Sequence, residues 1–219
     1  MNLPVEPYEE CLWQGSDRLY IGFTGINGGL GLPQNDFLGS AGIIDHSHII
    51  VRDPYPAWYQ RGVPQVGDDV RAIAQRLRQR IDQLGVQDVR FIGNSMGGFA
   101  ALLFCSLVGR GRAIAIVPQC YLSAHKVAQT GDARASELLQ SLYDSPDQSR
   151  FIYDLKDHFA QHSPNIRADL HFCTSHAEDM THAETLQGFR NIRIHTYPRG
   201  GHRLMVYLKE WGLLPKIFG

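Results

Sequence analysis

A serine, an adjoining pair of acids and a histidine of this sequence have the side-chain types that acyl-transfer chemistry needs. Ser95 stands between glycines in "GNSMGG", Glu178 and Asp179 adjoin in "CTSHAEDMTHAETL", and His202 closes a glycine pair in "YPRGGHRLMVYL". A serine hydroxyl is a poor nucleophile until a base takes its proton and donors meet the oxyanion that forms. A histidine supplies the base near neutral pH, and a carboxylate fixes its tautomer and stabilises the imidazolium. The chemistry is available only if distant segments converge.

The elements that must bring them together can be read from pattern. "RLYIGFTG" (18–25) and "SHIIVRDP" (47–54) are β-type runs, with the glycine-rich "GINGGLGLPQNDFLG" between them reading as loop. "DDVRAIAQRLRQRIDQLG" (68–85) is the clearest helix. Val70, Ile73, Ala74, Leu77, Ile81 and Leu84 follow helical spacing, and Gly85 is a natural stop. "DVRFI" (88–92) predicts a strand, "GGFAALLFCSLVG" (97–109) a helix apolar nearly all round, and "RAIAIVP" (112–118) a buried strand. Ser145-Pro146 predicts the start of a helix with Phe151, Ile152, Leu155 and Phe159 as its stripe. Strands at 169–175 and 191–198 follow, with a helix around "THAETLQGF" between them, and an amphipathic segment carrying Leu204, Leu208 and Trp211 closes the chain. Alternation of this kind predicts an α/β domain over residues 1–219 with a mainly parallel sheet.

In that frame Ser95 falls between a strand and a helix, the strand–GxSxG–helix pattern of a nucleophile elbow. The glycines allow close packing around a strained turn, and the helix N-terminus beneath Ser95 offers N–H groups and partial positive charge to an oxyanion. Loops at the carboxyl ends of parallel strands bring the acid and His202 to the same sheet edge. Asp179 is preferred to Glu178 for its short carboxylate just before the next helix. Its alternative role is N-cap of that helix. His195 lies within a strand, and His158 and His162 lie on or beside a polar helix face, which suits structural or solvated roles.

On these residues the sequence resembles the α/β-hydrolase superfamily, from "LYIGFTG" to the last helix, with "GNSMGG" its most specific feature and "GGH" the next. The resemblance implies a Ser95–His202–Asp179 triad and an oxyanion hole with the backbone N–H of Met96 as one donor. The second donor would come from the loop after "YIGFTG". Here Phe23-Thr24-Gly25 replaces the family's usual His-Gly step, so Thr24 and Gly25 are the candidates. Phe23, with Trp58 and Tyr59 of "RDPYPAWYQRG", would line the pocket or simply pack. About fifty residues between the strands at 112–118 and 169–175 leave room for a small lid or none.

Composition narrows the alternatives. The 219 residues are 43% hydrophobic and 20% charged with a formal net charge of −1, giving no basic surface for nucleic acid. The opening "MNLPVEPYEECLWQG" does not read as a secretory signal, and the longest apolar run, "FAALLFCSLV", is too short for a membrane span. Cys11, Cys105, Cys120 and Cys173 are scattered, which suits reduced thiols in the cytoplasm. "GINGGLG" lacks both the P-loop lysine and GxGxxG spacing, and "DHSH" (45–48) lacks a convincing third ligand, so neither a nucleotide nor a metal is expected. The expectation is a cofactor-free serine hydrolase acting on a small-molecule acyl ester or thioester. Acyl transfer to another acceptor, and a non-catalytic scaffold on the same fold, remain the alternatives. Sequence does not separate ester from thioester or peptide.

Overall fold

Seven short strands pair into one sheet in the computed structural model, which describes residues 6–163 and 165–219. In chain order they are β1 (Tyr8–Cys11), β2 (Arg18–Phe23), β3 (Ser47–Val51), β4 (Asp88–Asn94), β5 (Arg112–Ile116), β6 (Ala168–Cys173) and β7 (Ile192–Tyr197). The spatial order is β1-β3-β2-β4-β5-β6-β7, and only β1, at one edge, runs antiparallel. β2, β3 and β5 are almost wholly buried, as strands covered on both faces by helices must be.

The helices α1 (Gln34–Ser40), α2 (Val70–Leu84), α3 (Met96–Val108), α4 (Ala124–Thr130), α5 (Ser136–Tyr143), α6 (Leu155–His162), α7 (Ala177–Thr185), α8 (Leu204–Glu210) and α9 (Leu214–Phe218) pack around it. In α2 the predicted stripe of Val70, Ile73, Ala74, Leu77 and Ile81 is the buried one. Asp69 caps its start by accepting from Arg71 N and Ala72 N, and Gly85 ends it in the left-handed region at φ 66°. α3 is buried on every face except near Leu107, which accounts for its lack of amphipathic pattern. α9 is tied beneath the sheet by Tyr20 Oη, which donates to Phe218 O at 2.8 Å.

Several elements depart from the sequence reading. β1 was too short and too polar to register, and α1 occupies the end of the stretch read as loop. The helix expected from Ser145-Pro146 is instead a single 3₁₀ turn (Gln148–Arg150) followed by extended chain, and α6 begins only where Asp154 caps it. Phe151 and Ile152 therefore pack from extended chain. Gly212 splits the closing segment into α8 and α9 and leaves Trp211 64% exposed, outside the apolar stripe. The short α4 and α5 precede the crossover helix α6 in the connection between β5 and β6, a small cap. Met1–Val5, part of the opening read for a leader, lies outside the described residues.

Of the structural and solvated roles open to His158, the fold gives it the structural one. It faces inward on α6, with Nε2 3.0 Å from Ser106 Oγ. Burial, then the neighbouring His162 and Arg71, pushes its pKa down to about 4. His171, buried in β6 and stacked on His195 at 4.7 Å, is pushed down to about 3 by burial first and His195 second. The unfolded chain binds these protons near the ordinary histidine value of 6.5. Between the folded and unfolded values the unfolded state holds more protons, so stability rises with pH there and is lost as pH falls. A tenfold loss of proton affinity on folding corresponds to about 1.4 kcal/mol. The melting temperature should fall on acidification from about pH 6.5 toward 4, more shallowly in His158→Gln. A flat profile in the wild type, or the same slope in the variant, would assign the acid sensitivity elsewhere.

Candidate active site

The turn between β4 and α3 holds Ser95 at φ 54° and ψ −118°, a conformation that L-residues avoid and that costs about 1–3 kcal/mol. Two close approaches enforce it. A Cβ on Gly93 would stand 2.1 Å from Gly97 O, and one on Gly97 would stand 2.1 Å from Phe23 O. Only glycine at these positions lets α3 start this tightly against β4 and β2. Ser95 N donates to Ile116 O at 3.0 Å, which ties the elbow to the end of β5.

Ser95 Oγ lies 3.0 Å from His202 Nε2. His202 sits in a 3₁₀ turn (Gly201–Arg203) entered through Gly200 at φ 111° and Gly201 at φ 53°. This turn carries the imidazole back over the sheet edge. His202 Nδ1 is 2.9 Å from Asp179 Oδ1 and 3.1 Å from Oδ2. With Nδ1–H donating to the carboxylate, Nε2 keeps a lone pair for the serine proton. The three residues have the geometry of a catalytic triad.

Asp179, not Glu178, faces the imidazole. Asp179 is 1% exposed in the first turn of α7, while the Glu178 side chain is 48% exposed and approaches His176 Nδ1 at 3.3 Å. The N-cap of α7 is His176, whose ring accepts from Asp179 N, so the capping role is taken by another residue. Burial alone would raise the Asp179 pKa. Hydrogen bonds and charge from His202, then from Arg134, outweigh it and hold the carboxyl below the ordinary range.

Arg134 and Asp132, between α4 and α5, escaped the sequence reading, since "GDARAS" looks like any polar loop. Arg134 Nη1 donates to Asp179 Oδ1 at 2.6 Å and lies 3.1 Å from His202 Nδ1. Both nitrogens donate to Asp179, so they share an acceptor rather than bonding each other. Asp132 takes the other edge of the guanidinium through Nε (2.8 Å) and Nη2 (2.5 Å). His182 Nδ1 accepts from Cys120 N at 3.1 Å, leaving Nε2–H to donate to Asp132 Oδ2 at 3.2 Å. The cap connection is thus wired into the triad acid.

Met96 opens α3, and its N–H meets no acceptor among the described residues, as an oxyanion donor requires. The other expected donors are already engaged. Thr24 N donates to Val51 O at 3.3 Å, and Gly25 N donates to Gly29 O at 2.8 Å. The next amide in that loop, Ile26 N–H, has no acceptor among the described residues, and Ile26 lines the cavity holding Ser95 and His202. That cavity is about 700 Å³, within the size range of small-molecule sites. Loop 25–33, Asn94, Gln119, Arg134, Arg203 and Met205 contribute to its wall.

Phe23, Trp58 and Tyr59 are not part of that wall. All three are fully buried. Phe23 stacks on Phe104 with ring centroids 4.9 Å apart, and Tyr59 packs edge-on to Phe23. The Asp53 carboxylate accepts from the backbone N–H groups of Tyr55, Ala57 and Tyr59, curling the segment so that Trp58 (φ 50°) and Tyr59 (φ 63°) turn inward. Cys105 is likewise packed away, its thiol pushed up to about 12 by burial. Among the described residues no three His, Cys, Asp or Glu side chains gather as metal ligands would.

No protein-family model matches the sequence, and no curated protein matches it significantly. Solved structures do match in fold. A lipase-esterase related protein from Clostridium acetobutylicum superposes with a TM-score of 0.59 at 14% identity, covering 96% of this chain and 97% of that one. The capsule O-acetyltransferase of Neisseria meningitidis serogroup A gives 0.62 at 18% identity, covering 93% and 88%. MenH from S. aureus gives 0.56 at 14% identity, covering 93% and 98%. Together with the sheet order and the elbow, these likenesses give this chain the α/β-hydrolase fold, with Ser95, His202 and Asp179 in triad geometry at its sheet edge.

Proposed function

We propose that this protein is a serine hydrolase that cleaves an acyl ester or thioester through an acyl-enzyme intermediate. The observation that carries the reading is the continuous Ser95–His202–Asp179 chain of contacts at 3.0 and 2.9 Å opening on the cavity. Ser95 Oγ attacks the acyl carbon as His202 Nε2 takes its proton. The tetrahedral oxyanion is met by Met96 N–H and by Ile26 N–H, which replaces the engaged amides of Thr24 and Gly25. Collapse expels the alkoxide or thiolate, which takes the proton from His202. Water, deprotonated by the same histidine, then releases the acid.

The whole chain acts as one domain, and the reaction needs neither metal nor organic cofactor. No helix among the described residues is long and apolar enough to cross a membrane. Four free cysteines, three of them buried, support a cytoplasmic setting. Transfer of the acyl group to an acceptor other than water uses the same first half-reaction, and the likeness to an O-acetyltransferase keeps it as the second reading.

Labelling with a fluorophosphonate probe, alongside turnover of short-chain esters and thioesters, tests the proposal. Wild-type protein should label covalently and release acid. Neither labelling nor turnover would leave the fold as a scaffold. Labelling with turnover only when an alcohol acceptor is supplied would select the transferase.

A further inference from the structure

The cavity wall carries a polar side chain that neither the triad nor the oxyanion hole uses. Gln119 follows β5 by three residues, beyond Val117, whose φ of 40° is a strained value for a β-branched residue. It is only 6% exposed, and it lines the cavity that contains Ser95. Its Oε1 accepts from Trp58 Nε1 at 2.8 Å. An indole nitrogen only donates, so this bond decides which end of the carboxamide is oxygen and directs the NH₂ group away from Trp58. Among the described residues Nε2 meets no acceptor, and it is open to the cavity rather than sealed in the core. The neighbouring cavity donor, Arg134, is occupied by Asp132 and Asp179.

A nearly buried amide with unspent donors, held in one orientation by a fully buried tryptophan, is prepared for an acceptor that arrives with the ligand. Its place in the sheet says which part of the ligand it meets. Gln119 lies beyond β5, on one side of β4, whereas loop 24–29 follows β2 on the other. The oxyanion therefore points away from it.

We infer that Gln119 is a specificity-determining residue whose Nε2 donates to an oxygen of the substrate outside the scissile group. The preferred substrate class is then an acyl ester or thioester carrying an ether, hydroxyl or carbonyl oxygen, rather than one with a plain alkyl chain. This inference rests on the serine-hydrolase reading above.

The test compares carbon and oxygen isosteres. On the acyl side the pairs are p-nitrophenyl pentanoate with its ethoxyacetate and methoxypropanoate counterparts, and on the leaving-group side butyl with methoxyethyl butanoate. For each pair the ratio of kcat/KM values is measured in wild type, Gln119→Leu and Gln119→Glu, so that the intrinsic reactivity of each ester cancels between proteins. In at least one pair Gln119→Leu should lower the oxygen-over-carbon ratio by about 3- to 10-fold, the worth of one neutral hydrogen bond. Gln119→Glu keeps the volume and the bond from Trp58 but presents a carboxylate oxygen, so its ratio should fall at least as far. If Leu at this site prevents folding, the Glu variant carries the test alone. Ratios unchanged in both variants, with wild type still labelled by fluorophosphonate, overturn this inference and leave the hydrolase reading standing. An equal loss of kcat on every ester would make Gln119 an oxyanion donor or a structural residue and also overturns it. A wild type that neither labels nor turns over any ester removes both readings.

Discussion

Ser95→Ala and His202→Ala each lower kcat by roughly four to six orders of magnitude, and the double variant is no slower than either alone. The serine Oγ and the histidine Nε2 act as one unit, so removing either removes the step they share. Ser95 keeps its β-carbon as alanine, and His202 is about one-third exposed, so neither change opens a cavity in the core. Residual turnover belongs to the oxyanion donors and to binding. The measurement is kcat on the best ester of the panel, with fluorophosphonate labelling of each variant and a thermal melt to show that the fold persists. Labelling that survives in folded Ser95→Ala would assign the nucleophile elsewhere.

Asp179→Asn is expected to cost about 10⁴ in kcat while leaving the protein folded. Asp179 receives His202 Nδ1–H and an Arg134 N–H through its two oxygens. An asparagine offers one oxygen and one NH₂. With the oxygen turned to the guanidinium, the NH₂ donates to Nδ1 and drives the imidazole into the tautomer with hydrogen on Nε2. That nitrogen then donates to Ser95 and cannot take its proton. Asp132 still holds Arg134, which limits the damage to the catalytic step. Glu178→Gln, on the exposed side of the same turn, provides the comparison and should change kcat by less than about 3-fold, as surface substitutions do. Wild-type turnover by Asp179→Asn, or a collapse in Glu178→Gln, would reverse the assignment of the acid.

The parts whose physics is local can be read before the chain is folded. The elbow is written in five consecutive residues because the clash that demands glycine at 93 and 97 arises within one strand–turn–helix unit and its neighbouring strand. The stripe of α2 is legible because a helix on a sheet buries one face at a fixed spacing. That Ser95, the acid pair 178–179 and His202 share one edge followed from where loops must emerge at the carboxyl ends of parallel strands.

The remaining features depend on how distant elements pack together. Glu178 and Asp179 differ by one step, about 100° around a helix, so the rotation of α7 against β6 selects the buried one. The Thr24 and Gly25 amides look free in sequence, but the fold gives them Val51 O and Gly29 O. Aromatic residues after a strand suit a pocket wall or a core equally well, and it was the Asp53 carboxylate that curled Trp58 and Tyr59 into the core. Arg134 and Gln119 carry no signal in the sequence around them. Their partners Asp179 and Trp58 lie 45 and 61 residues away, so nothing short of the folded chain brings those atoms to hydrogen-bonding distance.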